Sequence, residues 1–235
     1  IIRPFGSKPT LLSQSTGFEA PFHGPIKKVM YKRRRYILGP KLNTPDIYGK
    51  FFNLYGLTQT DLSGNKIKET IILDDKYHLR VYSPEGKVIV KSDEYYGHDP
   101  RFIDVGVIEE FGGLAYGSNN ITRAKAVRYK SRLQFVKNGS RRFLVLPKNY
   151  VAGNGMLDQL VIVENSGLAI LGVNREGFER VFESSKQKGY LGAFRVVPRK
   201  GNAGADVYIL RIDKDYVSET SPMTSTFSTY FWELD

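Results

Sequence analysis

Short apolar or alternating runs, each closed off by Asn, Asp, Gly or Pro, recur along the whole chain and constrain its fold more than any other feature. They stand at 26–31, 36–38, 69–73, 78–82, 88–91, 133–136, 143–147, 159–163, 168–172, 180–182, 193–197, 207–212 and 229–232. Each is too short for a stable amphipathic helix and carries the period-2 or fully apolar pattern of a strand. Between them lie residues suited to the positive φ of tight hairpins: Asp74 and Asp75, Glu85 and Gly86, Asn138 and Gly139, Asn165 to Gly167, and Glu176 and Gly177. Residues 178–188 place Phe178, Val181 and Phe182 at helical spacing, yet read better as a strand followed by a polar loop. The expectation is an all-β antiparallel meander, which a sandwich, a barrel or a propeller would each satisfy.

The chain has 235 residues, 41% of them hydrophobic and 25% charged, which is enough apolar material for a sizeable core. An all-β unit of this length is commonly one domain, so residues 1–235 are read as a single domain. No apolar run approaches the ~18 residues that a membrane-crossing helix requires. The absence of Cys removes disulfides, thiolate nucleophiles and Cys-ligated metal centres.

The net charge of +11 is unevenly spread. Residues 1–50 hold ten basic and two acidic side chains, and residues 101–150 hold ten and three, whereas residues 201–235 hold two and six. The densest run is Lys32, Arg33, Arg34 and Arg35, expected at the solvated turn of a hairpin with strands 26–31 and 36–38. A second stretch comprises Arg123, Lys125, Arg128, Lys130 and Arg132. Both are candidate partner-binding surfaces for a polyanion or an acidic protein face. No zinc-finger spacing, helix-turn-helix pattern or RNP-type aromatic motif accompanies them, which makes a nucleic-acid partner the weaker expectation.

A faint internal repeat separates the β architectures. Asn65, Asn138 and Asn202 each sit at a turn before an apolar run ending in Leu: 70–73, 143–146 and 207–210. The first run continues through Leu79-Arg80-Val81-Tyr82 and Gly86 to Val88-Ile89-Val90 and Ser92, and a similar order follows the second. The segment 60–87 resembles a blade of the FG-GAP or VCBS-repeat β-propellers of bacterial envelope and secreted proteins. In that family a D-x-D-G-D-G-x-x-E loop precedes an apolar strand and an L-x-V-Y…G hairpin. The best match covers about 51–98, with weaker echoes over 130–189 and 190–235.

The resemblance implies a propeller of about four blades, at roughly 20–50, 51–98, 101–189 and 190–235, with residues 1–19 as an extended arm. The Ile1 start raises the expectation of a processed chain, or of the C-terminal part of a longer propeller completed by another chain. It also implies an extracytoplasmic location and a Ca²⁺ loop, because a hard cation takes six to eight closely spaced oxygens. Asp61, Ser63, Asn65 and Glu69 occupy the ligand-like positions. Ser63 replaces a carboxylate and Lys66 stands where Gly is usual, so side-chain to backbone closure of the turn is the stronger expectation. The corresponding loops near Asn138 and Asn202 are basic and expected to be metal-free.

Catalytic signatures are missing. No G-x-S-x-G elbow, H-E-x-x-H helix, phosphate-binding loop or dinucleotide fingerprint occurs. His23, His78 and His98 have no metal-ligand spacing, and the paired acids Asp74/Asp75, Glu109/Glu110 and Asp213/Asp215 read as solvated turns. The leading expectation is a non-enzymatic binding or structural module that engages a protein or an anionic polysaccharide or envelope surface. The alternatives are a carbohydrate-active propeller enzyme with a carboxylate pair and a basic nucleic-acid-binding β protein.

Overall fold

A computed structural model describes residues 11–15, 23–41, 56–74, 76–97, 102–110, 121–128, 131–139, 141–151, 163–199, 204–213 and 224–233. Among the described residues there are seventeen strands and no α-helix. Strands β1 (Leu11–Ser15), β2 (His23–Lys32) and β3 (Arg35–Lys41) make a first sheet. Strands β4 (Leu57–Thr60), β5 (Glu69–Leu73), β6 (His78–Tyr82) and β7 (Val88–Tyr95) make a second. A separate hairpin, β8 (Phe102–Glu110) with β9 (Ile121–Arg128), follows. The third sheet is β10 (Gln134–Asn138), β11 (Arg141–Val151), β12 (Val163–Val173) and β13 (Phe178–Glu183), with the short β14 (Gln187–Lys188) also paired to β12. The fourth is β15 (Tyr190–Pro198), β16 (Gly204–Asp213) and β17 (Thr224–Glu233). Among the described residues every pairing is antiparallel and sequential apart from that of β14, and no sheet closes on itself.

The apolar pattern of each strand follows from how many of its faces are covered. In β11, Phe143, Leu144, Val145 and Leu146 are all buried. Leu144 and Leu146 enter a core with Ile71, Leu73, Leu79 and Val81 of the second sheet. Phe143 and Val145 enter another with Leu191, Phe194, Val207 and Ile209 of the fourth. The third sheet is therefore covered on both faces, which is why its central strands read as unbroken hydrophobic runs. Burying such side chains contributes ~1.5–3 kcal/mol each. The second sheet is likewise covered twice, with Ile71 and Leu73 facing the third sheet and Ile72 packing with Ile26 of the first. In β16, by contrast, Val207 and Ile209 are buried while Tyr208 and Leu210 are only half-buried, the alternation of a strand with one covered face.

Polar links join the sheets. The Gln134 side chain on β10 donates to the Val196 carbonyl at 2.7 Å and accepts its N–H at 2.9 Å. The side-chain Oδ1 of buried Asn149 accepts Leu191 N–H at 3.0 Å. Gly97, just beyond β7, donates to the Pro147 carbonyl at 3.0 Å and accepts the Ser131 hydroxyl at 2.8 Å. The first strands of three sheets lie side by side, with β10 contacting both β4 and β15.

Three expectations need correction. Residues 11–15 pair with β2 as a strand, so this part of 1–19 is not a free arm; Leu12 packs against the core shared by the first two sheets. Asn165 to Gly167 is no turn: β12 runs straight through it, opposite Tyr150, Asn149 and Lys148. Buried Ser166 meets the Arg211 guanidinium there at 3.2 Å, so long-range pairing overrides local turn chemistry. Strands β4, β8 and β9 were also not anticipated. Residues 178–183 form a strand as expected, while 159–162 lie outside the described residues.

Candidate binding surface

The four-cation run sits at the tip of the β2–β3 hairpin. Register pairs Lys32 with Arg35 and Tyr31 with Tyr36, which leaves Arg33 and Arg34 as the two turn residues. Both adopt left-handed backbone, with φ of 49° and 63°. A two-residue turn with both central φ values positive matches the twist of the flanking strands, and Asn-Gly is its usual occupant. A residue with a Cβ is disfavoured there by ~1–2 kcal/mol. Two arginines at those positions place strain and like charge together where neutral, permissive residues would suit folding better, a pattern that points toward function.

The finger is also amphipathic. Tyr31 and Tyr36 are 63% and 72% exposed, and their ring centroids lie 5.1 Å apart at 52°. Ile37 and Leu38 are exposed behind them. Residues 23–41 contain no acidic side chain. Among the described residues, none of the ion pairs involves Lys32, Arg33, Arg34 or Arg35.

The second basic stretch is not brought to the finger by any described contact. Arg123, Lys125 and Arg128 lie on β9, paired along β8; their side chains and the whole of Lys130 fall outside the described residues. Arg132 is exposed in the segment leading into β10.

The acidic loop between β4 and β5 is closed by its own backbone. The Asp61 carboxylate accepts Gly64 N–H at 2.6 Å and Lys66 N–H at 2.8 Å, and the Asn65 side chain accepts Ile67 N–H at 2.9 Å. Desolvation pushes the Asp61 carboxyl up, but these N–H donors outweigh it and hold it below the ordinary value. Glu69 is 2% exposed and takes Leu62 N–H at 2.8 Å and the Ser63 hydroxyl at 2.5 Å. Arg175, in the β12–β13 turn of the third sheet, approaches Glu69 at 3.8 Å. Thus the four ligand-like side chains Asp61, Ser63, Asn65 and Glu69 are gathered in one loop, with their oxygens engaged by the chain itself. Lys66 holds a left-handed φ of 67° where the family pattern has Gly. No group of three or more metal-ligating His, Cys, Asp or Glu side chains occurs among the described residues.

Comparison with family models, with curated proteins and with solved structures finds no match to this chain.

Of the sequence-singled acids and histidines, Asp74 is a structural hub. It accepts Lys76 N–H at 2.9 Å and His78 N–H at 2.8 Å and pairs with Arg80 at 2.6 Å. Buried His78 shares a hydrogen bond with the Ser92 carbonyl at 2.9 Å and packs on Tyr95. Asp75, Asp215 and His98 lie outside the described residues, as do the side chains of Glu109, Glu110 and His23.

One polar cluster carried no signal in the sequence. Lys148 on β11 binds Glu94 of the second sheet at 2.7 Å and Glu183 of β13 at 3.1 Å. Arg180 reaches the same two carboxylates at 3.4 and 3.1 Å, and the Tyr150 hydroxyl donates to Glu183. Burial pushes the Glu183 carboxyl up, but donors from Tyr150, Lys148 and Arg180 outweigh it and hold the group below the ordinary value. Burial, reinforced by the neighbouring carboxylates, pushes the Tyr96 and Tyr150 hydroxyls well above theirs. Lys148 stands 54 residues from Glu94 and 35 from Glu183, beyond the reach of any local motif. Both carboxylates are neutralised by cations, an arrangement suited to joining two sheets.

Proposed function

We propose that the chain is a non-enzymatic, extracytoplasmic binding module of the FG-GAP or VCBS-repeat propeller type, which grips an anionic polymer, with an acidic polysaccharide as the representative ligand, through the β2–β3 finger. The propeller part is supported by sheets of consecutive strands that stack in chain order and by the adjacency of β4, β10 and β15. Asn65 and Asn138 lie at the first-to-second strand connection of successive sheets; the third position, Asn202, is outside the described residues.

The observation that carries the binding role is the four-cation tip, with Arg33 and Arg34 in left-handed backbone, no acidic partner among the ion pairs of the described residues, and two exposed tyrosines beside it. Cations supply long-range attraction and register on a polyanion, and exposed aromatic rings supply contact area at low conformational cost. Affinity for a sulfated or carboxylated polysaccharide should fall steeply with added salt and drop at least tenfold in the Arg33→Glu/Arg34→Glu double variant. Affinity that is indifferent to both would remove the finger from the interaction. An acidic protein surface recognised by the same cations would show itself by competing with the polysaccharide.

The carbohydrate-active reading has one observation in its favour, the juxtaposition of Glu94 and Glu183 across Lys148. Hydrolysis by a carboxylate pair needs the two acids open to a glycosidic bond between them, whereas Lys148 and Arg180 bridge these two at 2.7 to 3.4 Å. Release of reducing sugar from a glycan panel, abolished by Glu183→Gln, would reverse this preference.

A further inference from the structure

The outward face of the fourth sheet, at the end of the stack opposite the finger, presents a second surface of a different kind. Tyr208, Leu210 and Phe227, with Ala193 and Val197, floor an open depression of about 530 Å³, within the range of small-ligand sites. The Tyr208 and Phe227 rings lie 6.1 Å apart and only 28° from parallel, so they form a nearly flat apolar platform. Polar groups border it: register sets Thr229 of β17 and Arg195 of β15 directly opposite Tyr208.

The two arginines at this face differ. Arg199 is clamped by Asp206, with contacts of 2.6 and 3.0 Å, and lies over the Phe231 ring. Arg195 is exposed, lines the depression, and has no acidic partner among the ion pairs of the described residues.

We infer that this face is a subsite for a carboxylated sugar, such as a uronic acid unit. The C–H face of the pyranose ring would rest on Tyr208 and Phe227, its carboxylate would pair with Arg195, and its hydroxyls would reach the Thr229 and Tyr208 hydroxyls. The pairing follows from chemistry: a flat aromatic floor suits a ring with an apolar face, and an uncompensated guanidinium suits a planar carboxylate. Charge argues against covering this face with a second copy. The first sheet of another copy would bring Lys27, Lys41 and the four-cation turn toward Arg195, and a face-to-face pairing would set two Arg195 guanidinium groups on one apolar patch.

The test uses the full chain, calorimetry and two probes, a galacturonic acid tetrasaccharide and its methyl ester. The acid should bind at least tenfold more tightly than the ester. Tyr208→Ala and Arg195→Gln should each weaken it at least tenfold, and Tyr208→Phe by less than threefold. All three should keep the parent unfolding midpoint, because these side chains point away from the core. Because the proposed finger would also attract a carboxylated glycan, the titrations are repeated in the Arg33→Glu/Arg34→Glu background, where the acid should still bind and still lose at least tenfold on Tyr208→Ala or Arg195→Gln, so failure here and failure of the finger are separate results. Absence of tetrasaccharide binding would overturn the inference, as would loss confined to the finger variant. Self-association in the ultracentrifuge that Phe227→Ala abolishes would assign the face to a second copy and equally overturn it.

Discussion

Replacing Arg33 and Arg34 by Asn and Gly should make the β2–β3 hairpin more stable and the protein a poorer ligand for polyanions. Both residues sit at positive φ, 49° and 63°, where a side chain with a Cβ costs ~1–2 kcal/mol. Glycine at 34 removes its share outright, and Asn at 33 removes part of the other, because Asn tolerates this region well. The expected gain is ~1–3 kcal/mol for the hairpin, with a further small contribution from relieving repulsion among four clustered cations. Because the tip lies far from Ile26, where the first sheet joins the core, the gain should appear first as slower hydrogen exchange at the amides of β2 and β3. If hairpin opening is coupled to global unfolding, the midpoint should rise by ~2–4 °C per kcal/mol gained. The same substitution removes two of the four tip charges, so polysaccharide affinity should weaken and its salt dependence become shallower. Faster exchange would refute the strained-turn argument. Undiminished affinity would refute the assignment of the finger as the contact.

The remaining expectations concern the seam between the second and third sheets. Gly97 has a φ of +69°, and a Cβ there would lie 2.6 Å from Leu73 Cδ2 and 3.0 Å from Ser131 Cβ. Gly97→Ala should therefore cost ~2–5 kcal/mol, the sum of left-handed strain and overpacking, read by urea unfolding; a loss under ~1 kcal/mol would mean the seam gives way easily. The Lys148 cluster should shape the pH profile. Glu183 is held below its ordinary value of 4.5, so its contribution is fully present above that pH and is lost as pH falls through the lower folded value. Tyr96 and Tyr150 are raised above 10.0, so theirs is present below pH 10.0 and declines as pH rises beyond it. Thermal midpoints across pH should show both losses, and Glu183→Gln should flatten the acid limb; an unchanged acid limb would show that other carboxylates control it.

The strand alphabet was legible locally because backbone preference and side-chain alternation are properties of neighbouring residues. Glu69–Leu73 and His78–Tyr82 coincide with their sequence-read bounds, and Asn138 with Gly139 does turn the chain between β10 and β11. The Lys32 to Arg35 turn was legible for the same reason. Reading failed where a distant partner decides. Asn165, Ser166 and Gly167 have turn chemistry, yet β11 supplies a full ladder of partners that holds them in a strand. Leu57–Thr60 is a strand because β5 pairs with it, not because four residues declare one.

By itself, then, the order of residues determined that this is an antiparallel β protein with a basic hairpin tip and an acidic loop able to close on itself. Only the tertiary structure decided which faces are covered: the unbroken runs of β11 are sandwiched, while the alternation of β15 and β16 leaves Arg195, Tyr208 and Leu210 facing outward. It alone also gathered Glu94, Lys148 and Glu183. Local sequence sets the conformation of a strand, but burial and charge pairing depend on residues that the chain brings together only after many turns.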